Sequence, residues 1–120
     1  MDTPKQKIGQ LAETKACDFL KKQGLKLLDS NFRCKVGEID LIMRDGTDIV
    51  FVEVRARRDR GYGTAIESIT PFKQRKIIKT AVYYMQRKKW LEKVGCRFDV
   101  IGIDTTIEWI KSAFSIEGYR

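Results

Sequence analysis

The sequence predicts an α/β domain in which one helix precedes three strands and a second helix separates them from two more, order αβββαββ. Three observations carry this. Two helical periodicities each open on a threonine-proline pair, at Thr3-Pro4 and Thr70-Pro71. Between them, short β-rich runs are punctuated by Val36-Gly37 and Asp45-Gly46, and after Gly95 the pattern returns to β-branched residues at strand spacing.

The first helix starts where Thr3 can cap and Pro4 can occupy the first turn. Ile8, Leu11, Ala12, Ala16, Phe19 and Leu20 then recur at helical spacing until Gly24 supplies a stop. Leu25 to Cys34, Glu38 to Met43 and Asp48 to Arg55 are expected as three consecutive strands of a meander. Thr70-Pro71 opens the long second helix, which runs through Ile77, Ile78, Ala81, Val82 and Met85 and is expected to end near Gly95. Arg97 to Ile103 and Thr106 to Lys111 complete the set, joined by a turn at Asp104-Thr105. Only Glu117 to Arg120 look free to fray.

The hairpin between the second and third strands puts chemistry on one surface. Asp45 and Gly46 both tolerate positive φ, so they are expected as the two central turn residues. Arg44 then faces Thr47, Met43 faces Asp48, and Asp40 falls opposite Phe51. Side chains alternate along a strand, so Glu53 and Arg55 share the face of Phe51, while Val50, Val52 and Val54 point to the other side. Asp40 and Glu53 become diagonal neighbours with Cβ atoms roughly 7 to 8 Å apart, close enough to reach a common ion. Hard carboxylate oxygens suit magnesium or manganese. A slip of one residue would send the two acids to opposite faces.

Composition excludes several alternatives. A chain of 120 residues with 42% hydrophobic content can bury a core as one domain, residues 1–120. It contains no histidine, which removes Ser/His/Asp and Cys/His nucleophile systems and histidine-ligated zinc. Cys17, Cys34 and Cys96 are odd in number and widely spaced, and are expected as free thiols. The first residues lack an apolar signal core, and no run approaches membrane-spanning length, so a reduced cytoplasmic location is expected and no membrane partner. A formal charge of +8 favours an anionic partner such as nucleic acid.

The run GEIDLIMRDGTDIVFVEVRARR, the segment TPFKQRKIIK that starts at Thr70, and the later CRFDVIGI stand in this order over almost the whole chain. Together they resemble the YraN family of largely uncharacterised bacterial proteins, a branch of the restriction-endonuclease-like PD-(D/E)XK superfamily. The resemblance implies a restriction-endonuclease-like core with a mixed sheet flanked by helices. It also implies that Asp40 and Glu53 are metal ligands, that the Val54 carbonyl adds a third oxygen, and that Glu13 is a helix-borne catalytic acid. Arg55 stands where the superfamily usually has lysine. Arginine stays protonated and stabilises charge but cannot act as a base, so either water activated by the metal or Lys73, as a migrated lysine, would have to supply what the usual lysine does.

Each of these readings has a structural competitor. Asp40, Glu53 and Arg55 also suit an ion pair on an exposed strand surface, and Glu13 suits a solvated helix position. Arg33, Arg57, Arg58, Lys73, Arg75 and Lys76 are candidate nucleic-acid contacts, and equally a soluble basic face. Phe51 and Phe72 are expected in the core rather than against bases. The resemblance, added to these residues, implies a magnesium-dependent endonuclease acting on DNA, with branched DNA as a candidate substrate and a homodimer where paired strands are cut. Two alternatives stand beside it: a noncatalytic nucleic-acid-binding module, and an adaptor for an acidic protein partner.

Overall fold

The computed structural model describes residues 4–56 and 65–116, with Lys5 described by its backbone alone. The elements follow the expected order: α1 (Pro4–Lys22), β1 (Lys26–Arg33), β2 (Glu38–Asp45), β3 (Asp48–Ala56), α2 (Pro71–Arg87), β4 (Cys96–Ile103) and β5 (Ile107–Phe114). A short 3-10 turn at Ile66–Ser68 precedes α2. The cap position Thr3 and the predicted basic residues Arg57 and Arg58 lie outside the described residues.

The five strands form one mixed sheet in the order β1-β2-β3-β4-β5, antiparallel throughout except where β3 and β4 run parallel. That parallel pair requires a crossover, and α2 lies within it. One side of the sheet packs Ala12, Ala16, Cys17 and Leu20 of α1 against Leu41, Met43, Val50, Val52, Val54 and Ile101. The other packs Ile77, Ile78, Ala81, Tyr84 and Met85 of α2 against Ile42, Ile49, Phe51, Phe98 and Val100. β3 and β4 are therefore covered on both faces, which accounts for their nearly continuous apolar sequences. Phe51 belongs to this core, as expected, but Phe72 is exposed, and so is Leu11, which helical spacing had grouped with the buried stripe.

The edge strands differ. β1 and β5 are largely exposed, and each carries a left-handed residue, Asn31 at φ 52° and Ser112 at φ 49°. The pairing register also shifts between Leu27 and Asp29 on one edge, and between Phe98 and Val100 against the other. Such irregularities break the flat run of donors and acceptors that would otherwise recruit a further strand.

Two expected boundaries are corrected. The tight turn is centred on Gly46-Thr47, since Asp45 pairs with Asp48 and Arg44 with Ile49. Gly46 takes φ 63° at the first central position while Thr47 stays out of the left-handed region, as a type II′ turn requires. Arg97 Nη1, 2.9 Å from Asp45 Oδ2, holds Asp45 within the strand. The second correction is that α2 ends at Arg87, two turns short of Gly95. Lys89 enters the left-handed region at φ 63°. Its N–H donates to the Gln86 carbonyl at 3.0 Å and that of Trp90 to the Met85 carbonyl at 2.8 Å, the paired bonds of a Schellman cap. Helix starts held better: the Thr70 side chain accepts from the Lys73 N–H at 3.2 Å, with Pro71 at the first helical position.

Candidate functional site

The site begins where β2 and β3 part company. Their ladder reaches Leu41 opposite Val52 and goes no further. Beyond it, the Asp40 N–H donates to Glu53 Oε2 at 3.1 Å, and the Val54 N–H donates to Asp40 Oδ2 at 2.8 Å. The two carboxylates thus accept the hydrogen bonds that backbone carbonyls would take in a continued ladder. Ile39 packs with the α2-side core and Leu41 with the α1-side core, although they are two residues apart. Alternation breaks at Asp40, and its side chain turns toward the gap between the strands. The corrected turn therefore sets Asp40 level with Glu53 instead of Phe51. The acids meet because each accepts a backbone N–H across that gap.

Arg55 completes the cluster. Its Nη1 stands 3.7 Å from Asp40 Oδ2, and its Nη2 3.7 Å from Glu53 Oε1. Nη1 also donates to the Val54 carbonyl at 3.1 Å. A carbonyl oxygen has two lone pairs, so that oxygen keeps one acceptor direction beyond the arginine. The guanidinium does not fully offset the cost of burying two acids. Burial, then the charge of Asp40, raises Glu53 to about 8 despite its backbone hydrogen bond and Arg55. Burial likewise raises Asp40, against the opposing Val54 hydrogen bond and Arg55. Glu38, which the sequence reading had not singled out, adds negative charge against both.

An open cleft of about 410 Å³ lies beside this pair, lined by Arg33, Glu38, Glu53, Arg55, Lys73 and Lys76, with Cys34, Gly37 and Ile77. One wall is the β1-β2 loop and the ends of β2 and β3; the other is the first half of α2. Gly37 sets their spacing, because a Cβ there would lie 2.7 Å from Thr80 Oγ1. Of the predicted site residues, Glu53, Arg55, Lys73, Lys76 and Arg33 share the cleft, and Asp40 joins it through Glu53 and Arg55. Arg33 also pairs with Glu38 at 3.3 Å. Arg75, exposed on α2, is not among the lining residues.

Glu13 approaches the acids from α1, near enough to Asp40 and Glu38 to feel their charges. It lines a second cleft, of about 430 Å³, with Gln10, Cys17, Lys21, Asn31 and Leu41. Its Oε1 is buried with no hydrogen-bond partner, and burial, followed by the charges of Asp40 and Glu38, raises it to about 7. Among the described residues no group of three or more Asp, Glu, Cys or His is arranged to hold a metal ion. Asp40, Glu53 and the Val54 carbonyl offer hard oxygens, the donor type that suits a divalent cation. Two carboxylates raised by burial are also what an added cation would relieve.

A second buried network lies on the α1 face of the sheet, level with Val52. Asp99 accepts from Arg97 Nε at 3.1 and 3.2 Å, from Trp109 Nε1 at 2.9 Å and from the Ser112 N–H at 3.0 Å. With Arg97 also bound to Asp45, it ties the β2-β3 turn to β4 and β5.

No helix among the described residues is long and apolar enough to cross a membrane. Residues 12–103 match the model of the uncharacterised protein family UPF0102. A UPF0102 protein of Coxiella burnetii, strain RSA 331, is 51% identical over 114 residues, covering 93% of this chain and 95% of its own. One from Herminiimonas arsenicoxydans is 51% identical over 112 residues, 92% and 89% of the two chains. One from Legionella pneumophila, strain Philadelphia 1, is 46% identical over 112 residues, 91% and 95%.

Proposed function

Because this chain belongs to the uncharacterised protein family UPF0102, the YraN family of nuclease-like proteins, we propose that its cleft binds DNA and hydrolyses a phosphodiester bond with a divalent cation. One observation carries the reading: Asp40 and Glu53 lie side by side where two strands separate, and Glu53 lines a cleft with Arg33, Glu38, Arg55, Lys73 and Lys76. Paired acids next to clustered cations suit a bound cation next to a phosphate.

Asp40, Glu53 and the Val54 carbonyl would hold magnesium or manganese. When bound, that ion supplies Lewis acidity toward the phosphate and toward water. The chain's own groups do the rest. The backbone N–H groups of Asp40 and Val54 orient the two carboxylates. Arg55 stabilises negative charge on the phosphate as it grows, and it cannot take a proton. Lys73 and Lys76 hold flanking phosphates, and Lys73 would serve the developing charge from the α2 wall. Such contacts follow the backbone rather than base edges, so recognition is of DNA shape. Three free cysteines suit a reducing cytoplasmic setting.

A second reading has its own support. Arg55 already stands between the two acids, as it would in a noncatalytic DNA-binding module that has replaced metal by guanidinium. Cleavage of labelled linear, flapped and four-way DNA, in magnesium or manganese and in chelator, separates the two. Metal-dependent products lost in Asp40→Ala and Glu53→Ala are the expected result. Salt-sensitive binding with intact DNA, unaffected by either substitution, would overturn it in favour of the module. Absence of both cleavage and binding would point to an acidic protein partner.

A further inference from the structure

Phe72 departs from the packing that its residue type predicts. Its side chain is 65% exposed on the first turn of α2, at a position where any polar residue would serve the helix. The ring lies one helical turn before Lys76, whose ammonium stands 6.0 Å from the ring centroid. Lys76 and Lys73 are both lining residues of the cleft that holds Glu53 and Arg55. An exposed aromatic face therefore adjoins the cationic wall of the candidate site.

We infer that Phe72 is a stacking platform for an unpaired nucleobase, which makes the favoured substrate a nucleic acid with single-stranded character beside the cleft. The inference rests on the proposed reading of the cleft and specifies its substrate. In a nucleotide the base is one sugar away from its phosphate, so a phosphate held by Lys76 brings the adjoining base to the ring. Inside a duplex both faces of a base are covered by its neighbours. Only a base in a single strand, a flap or a splayed junction offers a free face, and any of the four bases can stack. The lysine contributes in two ways, by charge toward the phosphate and by holding its cation over one face of the ring.

The test is binding of the full chain to a labelled single-stranded oligonucleotide and to a duplex of equal length, with calcium replacing magnesium to keep the DNA uncut. Phe72→Ala is expected to weaken single-strand binding by roughly 5- to 150-fold, the range for loss of one stacked base, and to leave duplex affinity and melting temperature unchanged. Phe72→Trp should restore single-strand binding, with its added indole emission quenched by the single strand and not by the duplex. Equal loss on both DNAs, or no loss on the single strand, would overturn the inference while the cleft reading stands. Absence of DNA binding by the unsubstituted chain, or binding indifferent to Lys73→Ala and Lys76→Ala, would instead remove the cleft reading itself, and this inference with it.

Discussion

Glu13 holds a carboxyl oxygen out of water with nothing bonded to it, and the energetic consequence has a definite sign. Its folded value is about 7 against an ordinary 4.5, so between those pH values the native state holds more protons than the unfolded chain. Stability from this group is therefore lost as pH rises from about 4.5 to 7, and the loss persists above. Glu13→Gln should gain stability relative to the unsubstituted chain across that window. Melting temperatures of both proteins from pH 4.5 to 8 check this: the difference is expected to widen in favour of Glu13→Gln, and a constant difference would contradict it. At this scale the sequence made the acids legible only in part. Glu53 and Arg55 emerged because strand parity survives a two-residue error, and Asp40 joins them across the break in the ladder. Glu38 did not emerge, because its effect on the pair comes from its charge across the cleft, which strand pairing does not reveal. Glu13 was visible as a helix-border acid, yet helical spacing alone could not tell which cleft it would line.

Among the elements, the contact between the β1-β2 loop and α2 decides the shape of the cleft. Gly37 leaves no room for a methyl group, since the nearest atom belongs to Thr80, a fully buried β-branched residue whose hydroxyl donates to the Lys76 carbonyl at 2.8 Å. Gly37→Ala must push the loop away from α2, at a cost of roughly 1 to 3 kcal/mol by analogy with other overpacked sites. Chemical denaturation should show that loss, and weaker DNA binding should accompany it because the loop wall of the cleft moves away from Lys76; unchanged stability would contradict the contact. Local signals read this level well where they are local. Thr70-Pro71 and Gly24 gave true helix boundaries, whereas the end of α2 was missed because Lys89, not glycine, adopts the left-handed cap conformation. Asp45-Gly46 announced a hairpin but not which pair would be central, a choice fixed by Arg97 reaching Asp45 from a strand far along the chain.

For the whole molecule, the net charge of +8 gains meaning from where the cations gather. The α2 crossover between parallel strands brings Lys73 and Lys76 over the β2-β3 acids, a juxtaposition of segments distant in sequence that no local pattern reveals. Nucleic-acid affinity should fall steeply with salt. Lys73→Ala and Lys76→Ala should each reduce the slope of log affinity against log salt by roughly 0.7 to 0.9, one phosphate contact apiece. Titrations at several salt concentrations check this, and a slope indifferent to both substitutions would mean that the phosphates lie elsewhere. The same architecture explains why the αβββαββ order could be predicted from periodicity while the meeting of its walls could not. The central claim is that Asp40 and Glu53 take a divalent cation rather than serve only as partners of Arg55. Calorimetric titration of manganese into the purified chain, beside Asp40→Asn and Glu53→Gln, tests it most directly: binding lost in both variants is the expected result, and no binding, or binding untouched by either substitution, would contradict it.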